Sequence, residues 1–278
     1  MKAVRLLVPE ALRQATLYQR AKASLLYEIY CNLCNRRIIE ERSSEVQFYR
    51  RVLKGFKEGD LIFDIGANYG RKTDVFLRLG ARVVAVDPDE SNQKALEGQF
   101  LRYRFSRKPV TVIGKAVSDK EAVATMWMHE PGCAKNTLSP KWVDTLKSDG
   151  ERFGGTLEFP LRKEIQTITV EQLMANHGVP FFIKVDVEGH ELSVIRGMRR
   201  SVPYLSFEVN LPEFAQEGRE CITKLDQLAK DGVFNCFTDF QRGMVLDQWL
   251  GRREFLQIFD DCKEKSIEIF WKAPRQTA

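Results

Sequence analysis

From about residue 10 to residue 56 the apolar positions recur at helical steps. Leu12, Ala15, Leu17, Leu25, Leu26, Ile29, Tyr30 and Leu33 stand at mixed three- and four-residue intervals with no intervening proline, which predicts helix. A second helix is expected to begin at Ser43-Ser44-Glu45 and to close near Gly55, where a glycine can complete the last turn. The period then changes. LIFDI (61–65), RVVAV (82–86), VTVIGKA (110–116), FFIKVD (181–186), YLSFEV (204–209), VFNCF (233–237) and IEIFW (267–271) are short apolar runs rich in β-branched and aromatic residues, which read as strands.

The first of these runs are separated by segments of helical composition such as KTDVFLRLG and GHELSVIRGMRR. Strands that are apolar throughout and alternate with helices predict an α/β fold, a mostly parallel sheet covered on both faces. The last two runs, spaced by LDQWLGRREFLQIF, are expected to form an antiparallel terminal pair. Between 117 and 170 the alternation gives way to HEPGCAKNTLSP and SDGERFGG, an expected insertion or long loop at the open end of the sheet, where substrate contacts commonly sit.

Composition narrows the class. The 278 residues are 44% hydrophobic and 29% charged, enough to bury a full core. No apolar run approaches the roughly 20 residues of a membrane helix, and charges interrupt the first residues before a secretory h-region can form. Residues 1–59 carry 12 Lys and Arg against 6 Asp and Glu, and the remainder 31 against 32. The basic surplus therefore belongs to an N-terminal appendage, and no nucleic-acid surface is expected on the main domain. The appendage, 1–42, is expected to serve homo-oligomer contact or weak association with acidic surfaces, with 43–278 as the domain proper. Cys31 and Cys34 lack a second pair at zinc-ribbon spacing and the other four cysteines are isolated. Free thiols and the missing leader suggest a cytoplasmic protein.

Candidate chemistry begins at the first strand, which runs into Asp64-Ile65-Gly66-Ala67-Asn68-Tyr69-Gly70. Glycines at a strand-to-helix turn let backbone approach a ligand, yet the spacing is not the Gly-x-Gly-x-x-Gly of dinucleotide sites. Asp64 would also set a carboxylate where a pyrophosphate sits. A cofactor with cationic groups and no phosphate, such as S-adenosylmethionine, suits that carboxylate better. Asp87, ending the second strand, is placed to hydrogen-bond both hydroxyls of an adenosine ribose. An NAD-linked dehydrogenase is the alternative.

DIGANYGRKT at 64–73, VDPDE at 86–90 and IKVDVEGHE at 183–191 resemble the FkbM-type S-adenosylmethionine-dependent methyltransferases over about residues 43–210. One departure is Asp87, where many relatives have glutamate. The resemblance implies a Rossmann-like seven-stranded methyltransferase sheet with helices on both faces. It also implies transfer to hydroxyl oxygens, often of sugars, glycolipids or secondary metabolites, so the expected partner is a small-molecule or glycan acceptor. Carried over, Asp64, Gly66, Asn68 and Gly70 would line the methionine half of the cofactor, Asp87 the ribose, and the turn Lys115, Ala116, Val117 and Ser118 the adenine. A non-catalytic adaptor on the same fold is the reading from another class.

Lys184, Asp186, Glu188 and His190 lie where the fourth main strand ends, the ligand-binding edge of an open α/β sheet. Methyl transfer to a hydroxyl requires alignment and removal of a proton. Asp186, Glu188 or His190 would serve as base, and Lys184 would lower the pKa of the acceptor oxygen or pair with an acid. Repulsion between Asp186 and Glu188 is expected to raise at least one carboxylate pKa. Glu191 could merely complement a helix start. Glu208 and Asn210, ending the next strand, could join Asp186 around a divalent metal, a secondary reading, or hydrogen-bond a polyol. His129, His177, Trp127 and Trp142 fall in or near the insertion, where a tryptophan stacks on a sugar or closes a loop core.

Overall fold

The computed structural model describes residues 36–105, 110–148, 155–240 and 242–274. The helical spacing between 10 and 35, the Cys31 and Cys34 pair and the oligomer contact assigned to the appendage lie outside them. The first described element, α1 (Arg36–Val52), is already helical seven residues before Ser43. Ser43 and Ser44 therefore lie inside it, and Glu45 pairs with Arg71 and Lys72.

β1 (Leu61–Ile65), α2 (Arg71–Leu79), β2 (Arg82–Val86), α3 (Glu90–Phe105) and β3 (Val110–Ile113) follow as alternating units. The insertion then folds as β4 (Ala116–Val117), β5 (Val123–Met128), α4 (Pro140–Ser148) and β6 (Leu161–Ile168), and α5 (Val170–His177) leads back to the main sheet. β7 (Phe182–Val185), α6 (Glu191–Arg196), β8 (Tyr204–Asn210), α7 (Ala215–Leu228), β9 (Val233–Phe237), β10 (Leu250–Gly251), α8 (Arg252–Asp260) and β11 (Ser266–Lys272) complete the order.

The main sheet runs β10-β9-β11-β8-β7-β1-β2-β3. Pairing is parallel from β3 to β8, and β11 lies antiparallel between β8 and β9. This is the expected Rossmann-like α/β architecture with one correction: the two-residue β10 adds an eighth strand to the expected seven. The insertion is also more ordered than expected, because β4, β6 and β5 form a second sheet. Its strands escape a search for apolar runs because they are half-solvated, with LRKEIQTI burying only its later alternate positions.

Period-two alternation splits the main strands between two cores. Leu61, Phe63 and Ile65 of β1 join Ile183, Val185, Leu205 and Phe207 beneath α5, α6, α7 and α8. Ile62, Phe182, Tyr204 and Phe270 face Phe48 and Tyr49 of α1 and Phe76 of α2. On this second face the same alternation continues into Asp64, Lys184, Ser206 and Glu268, so the wall beneath α1 turns from aromatic to charged toward the crest where the parallel strands end.

Candidate functional site

At the crest, backbone bonds tie the strand-end turns together. Gly66 and Ala67 donate to the Val86 carbonyl, Asp87 to Ile113, and Asp186 to Ile65. Gly66 has φ +81, and a Cβ there would lie 1.8 Å from the Asp186 carbonyl oxygen. The absent side chain therefore serves the close approach of the β1 and β7 turns, whatever ligand lies above them.

A cavity opens over these turns. Gly66, Asn68, Asp87, Ala116, Val117, Asp186, Glu188 and His190 all line it. Asp87 is 5% exposed and accepts from Asn68 N (2.8 Å), Asp89 N (2.9 Å) and Asn92 Nδ2 (3.1 Å). Burial pushes its carboxyl up to about 6 despite these bonds. A carboxylate offers about four lone-pair positions, and these three bonds occupy most of those of Asp87. The apolar wall is made by Val86, Pro88, Ala116, Val117, Met126 and Leu138.

Five expected site residues stand behind the cavity wall. Asp64 is turned away, accepting from Thr73 Oγ1 at 2.5 Å, with burial raising its carboxyl to about 6. It does not face a cofactor cation. Gly70, φ 81, caps the start of α2 and donates to Ala67. Ser118 meets His190 Nε2 at 3.1 Å and holds the imidazole from behind. Lys184 lies 2% exposed under α1 and pairs with Asp186 at 2.9 Å, so it acts on an acid and not on an acceptor oxygen. Glu208 accepts from Ser266 Oγ, and burial and Asp186 push its carboxyl up.

The two carboxylates shift in opposite directions, and the raised one is Glu188. Burial opposes charge on Asp186, yet Lys184 outweighs it and holds the carboxyl below the usual range. Glu188 goes the other way: burial first, then Asp186 and Glu208, raise it to about 7 against the pull of Lys135. Lys135 stands 3.2 Å from Glu188 Oε1. Although burial opposes its charge, the carboxylates of Glu188, Glu208 and Asp186 keep the ammonium pKa above its ordinary value. Burial lowers the imidazole of His190.

Glu188 sits at φ 52, a left-handed conformation unusual for a side-chain-bearing residue. Three hydrogen bonds hold the turn. Glu191 Oε1 accepts from Val187 N (3.0 Å) and Gly189 N (3.3 Å), and Thr137 Oγ1 donates to the Glu188 carbonyl at 2.7 Å. The next residue must be small, because a Cβ on Gly189 would lie 2.8 Å from Phe214. Burial raises Glu191 to about 8. It thus organises the turn more than it complements a helix dipole.

The insertion supplies the residues that spacing alone does not reveal. Asp89, 3% exposed, accepts from Gly132 N (2.7 Å) and Asn136 Nδ2 (2.9 Å) and pins segment 130–136 over the cavity. A second acid three residues into VDPDE is the only signal that could have found it. Lys135 and Thr137 carry no signal, being ordinary loop residues. His129 bonds the Glu158 carbonyl within the insertion, and Trp142 is fully buried against Phe214, joining the insertion to the main core. His177 closes α5, away from the cavity. Among the described residues no three His, Cys, Asp or Glu side chains are grouped to hold a metal ion.

Residues 64–234 match the methyltransferase FkbM domain, more than half of the chain. The chain belongs to the FkbM methyltransferase family. It is accordingly an S-adenosylmethionine-dependent methyltransferase, which sets aside the NAD-linked and adaptor readings. No curated protein matches the chain at a significant level. Among solved structures it is similar to precorrin 8W decarboxylase of Methanobacterium thermoautotrophicum, with 14% identity, 83% of this chain and 90% of that chain covered, and a TM-score of 0.40. A TehB-like S-adenosylmethionine-dependent methyltransferase of Corynebacterium glutamicum gives 8%, 94%, 100% and 0.41. The C-terminal domain of precorrin-6Y C5,15-methyltransferase of Rhodobacter capsulatus gives 10%, 81%, 85% and 0.39. These likenesses are too distant to bear on the acceptor.

The residues of the FkbM cavity fit the cofactor. Asp87, Asp89, Asp186 and Glu188 bring four acids to its wall, against Lys115 as its one lysine or arginine. Such a wall favours a ligand with cationic groups and disfavours a pyrophosphate. Asp87 and Asn68 would hold the ribose side, and the apolar wall the adenine.

Proposed function

We propose that this FkbM methyltransferase acts on a hydroxyl oxygen of a sugar, glycolipid or other polyol, with Glu188 as general base. The observation that carries the reading is the Glu188 carboxyl itself. It lies on the cavity wall, is fixed by a strained turn, and has its pKa raised to about 7, the range in which a base is both available and effective. When bound, S-adenosylmethionine supplies an activated methyl group. Glu188 would take the proton that the hydroxyl loses, and Lys135 would stabilise the carboxylate until then. Asp186, held ionised by Lys184, would accept a hydrogen bond from a second hydroxyl and orient the acceptor, with Glu208 beside it. The cluster of carboxylates, offset by the ammonium groups of Lys135 and Lys184, suits a neutral ligand rich in hydroxyl donors.

The test is transfer of a labelled methyl group to a panel of sugars, glycolipids and hydroxylated metabolites, with product linkage read by mass spectrometry. An O-methyl ether is the expected product. A methylated nitrogen or carbon as the sole product would sink the assignment.

A further inference from the structure

At the other end of the main sheet, away from the cofactor crest, a second cavity opens between the end of α1 and the connection from β9 to β10. It is lined by Arg51 in the last turn of α1, Lys54 just after it, Arg242 and Trp249 of the connection, and Lys272. Lys272 closes β11 opposite Tyr204, the first residue of β8, which fixes the cavity at the sheet's far edge. Phe48, Tyr204 and Met244 give it an apolar floor.

Its wall carries four cations. At other surface positions Arg196 pairs with Glu220 (2.6 Å), Arg200 with Glu171 (3.0 Å), Arg219 with Asp260 (2.7 Å) and Arg252 with Asp226 (3.1 Å). Arg51, Lys54, Arg242 and Lys272 form no ion pair with any described residue, and Lys272 Nζ instead stands 5.3 Å from the Trp249 ring centre. Four like charges around one concavity repel each other and raise its affinity for an anion. No carboxylate of the cavity wall answers them. Two guanidinium groups match the oxygens of a phosphoryl group in fork geometry. Four cations exceed what a single carboxylate needs and suit the −1.5 to −2 charge, roughly, of a phosphate monoester. The floor and Trp249 offer an apolar surface for the organic part of such an ester.

We propose that this cavity is a second ligand site that takes a phosphate monoester, its phosphoryl group among the four cations and its organic part against Trp249. It is separate from the cofactor cavity and does not depend on the acceptor assigned above. The test uses the full chain and two probes: phenyl phosphate in solution, followed by calorimetry and tryptophan quenching, and phosphatidylcholine vesicles with or without phosphatidic acid, followed by co-sedimentation. One bound phenyl phosphate is expected if the natural ligand is soluble, and retention only on phosphatidic acid vesicles if it is a lipid headgroup. In either case the exposed double variant Arg51→Gln/Arg242→Gln should lose at least tenfold in affinity while binding S-adenosylmethionine as before. Failure of both probes to bind, or equal binding by the double variant, overturns the proposal.

Discussion

Glu188 and Asp186 show how two carboxylates two residues apart can be assigned different work by their neighbours. Asp186 faces the buried Lys184 and stays ionised; Glu188 turns toward the cavity, where burial and two nearby acids outweigh Lys135. A base must be deprotonated to act, so the methyl-transfer rate at saturating cofactor should rise with pH through about 7. Glu188→Gln should lower the rate by about 10²–10⁴ and remove that limb. Asp186→Asn should lower the rate and keep the limb but move it to lower pH, because the charge it removes titrates well below neutrality itself and is one of the two that raise Glu188. Rate profiles of the two variants and of His190→Ala separate the roles. A limb kept by Glu188→Gln and lost in His190→Ala would make the imidazole, held by Ser118, the base.

The insertion is the element on which the site depends. Its sheet stands apart from the main one, and its 130–137 segment reaches the crest through Asp89, Glu188 and the Glu188 carbonyl. Removing a buried acceptor leaves its donors unpaired at about 1–3 kcal/mol each. Asp89→Ala should therefore loosen this segment without unfolding the domain. Hydrogen exchange should accelerate over 129–138 while β1 and β7 amides keep their protection, and the dissociation constant for S-adenosylmethionine should rise at least tenfold. Unchanged exchange over 129–138 would show that Asp89 does not hold it. Here lies the limit of what the pattern of residues conveys. β1, β2, β7 and β8 were legible because buried parallel strands are apolar on both faces, and the acids at their ends stood out against that background. β5 and β6 were not, since half-solvated strands mix polar and apolar residues. Nor was Lys135, whose partner Glu188 is 53 residues away and is met only through the fold. Asp64 was found as an unusual residue, but its direction was not: alternation placed it with Lys184 on the α1 face, and Thr73 completed its bonding from α2.

Across the whole molecule, the charged band under the crest couples function to folding stability. Asp64 and Asp87 are raised to about 6, Glu188 to about 7 and Glu191 to about 8, while unfolded carboxyls titrate near 4. Between those values the native state holds more protons than the unfolded one, so stability falls as pH rises. Asp186 has the opposite sign: its contribution is present above its unfolded pKa and is lost as pH falls through its lower folded one. Above about pH 5 that group is fully ionised in both states; His190, lowered by burial, opposes the trend around its ordinary pKa, and the four raised acids outnumber it and set the slope. The melting temperature of the cofactor-free protein should thus be higher at pH 5.5 than at pH 8. Glu191→Gln isolates one contribution, because an amide oxygen can still accept from Val187 and Gly189 but does not ionise. Its melting temperature should fall less over the same interval than that of the unsubstituted protein. An equal or steeper fall would mean that the buried Glu191 carboxyl is not the group that titrates, and that the turn carrying Glu188 is open to water when the cofactor is absent.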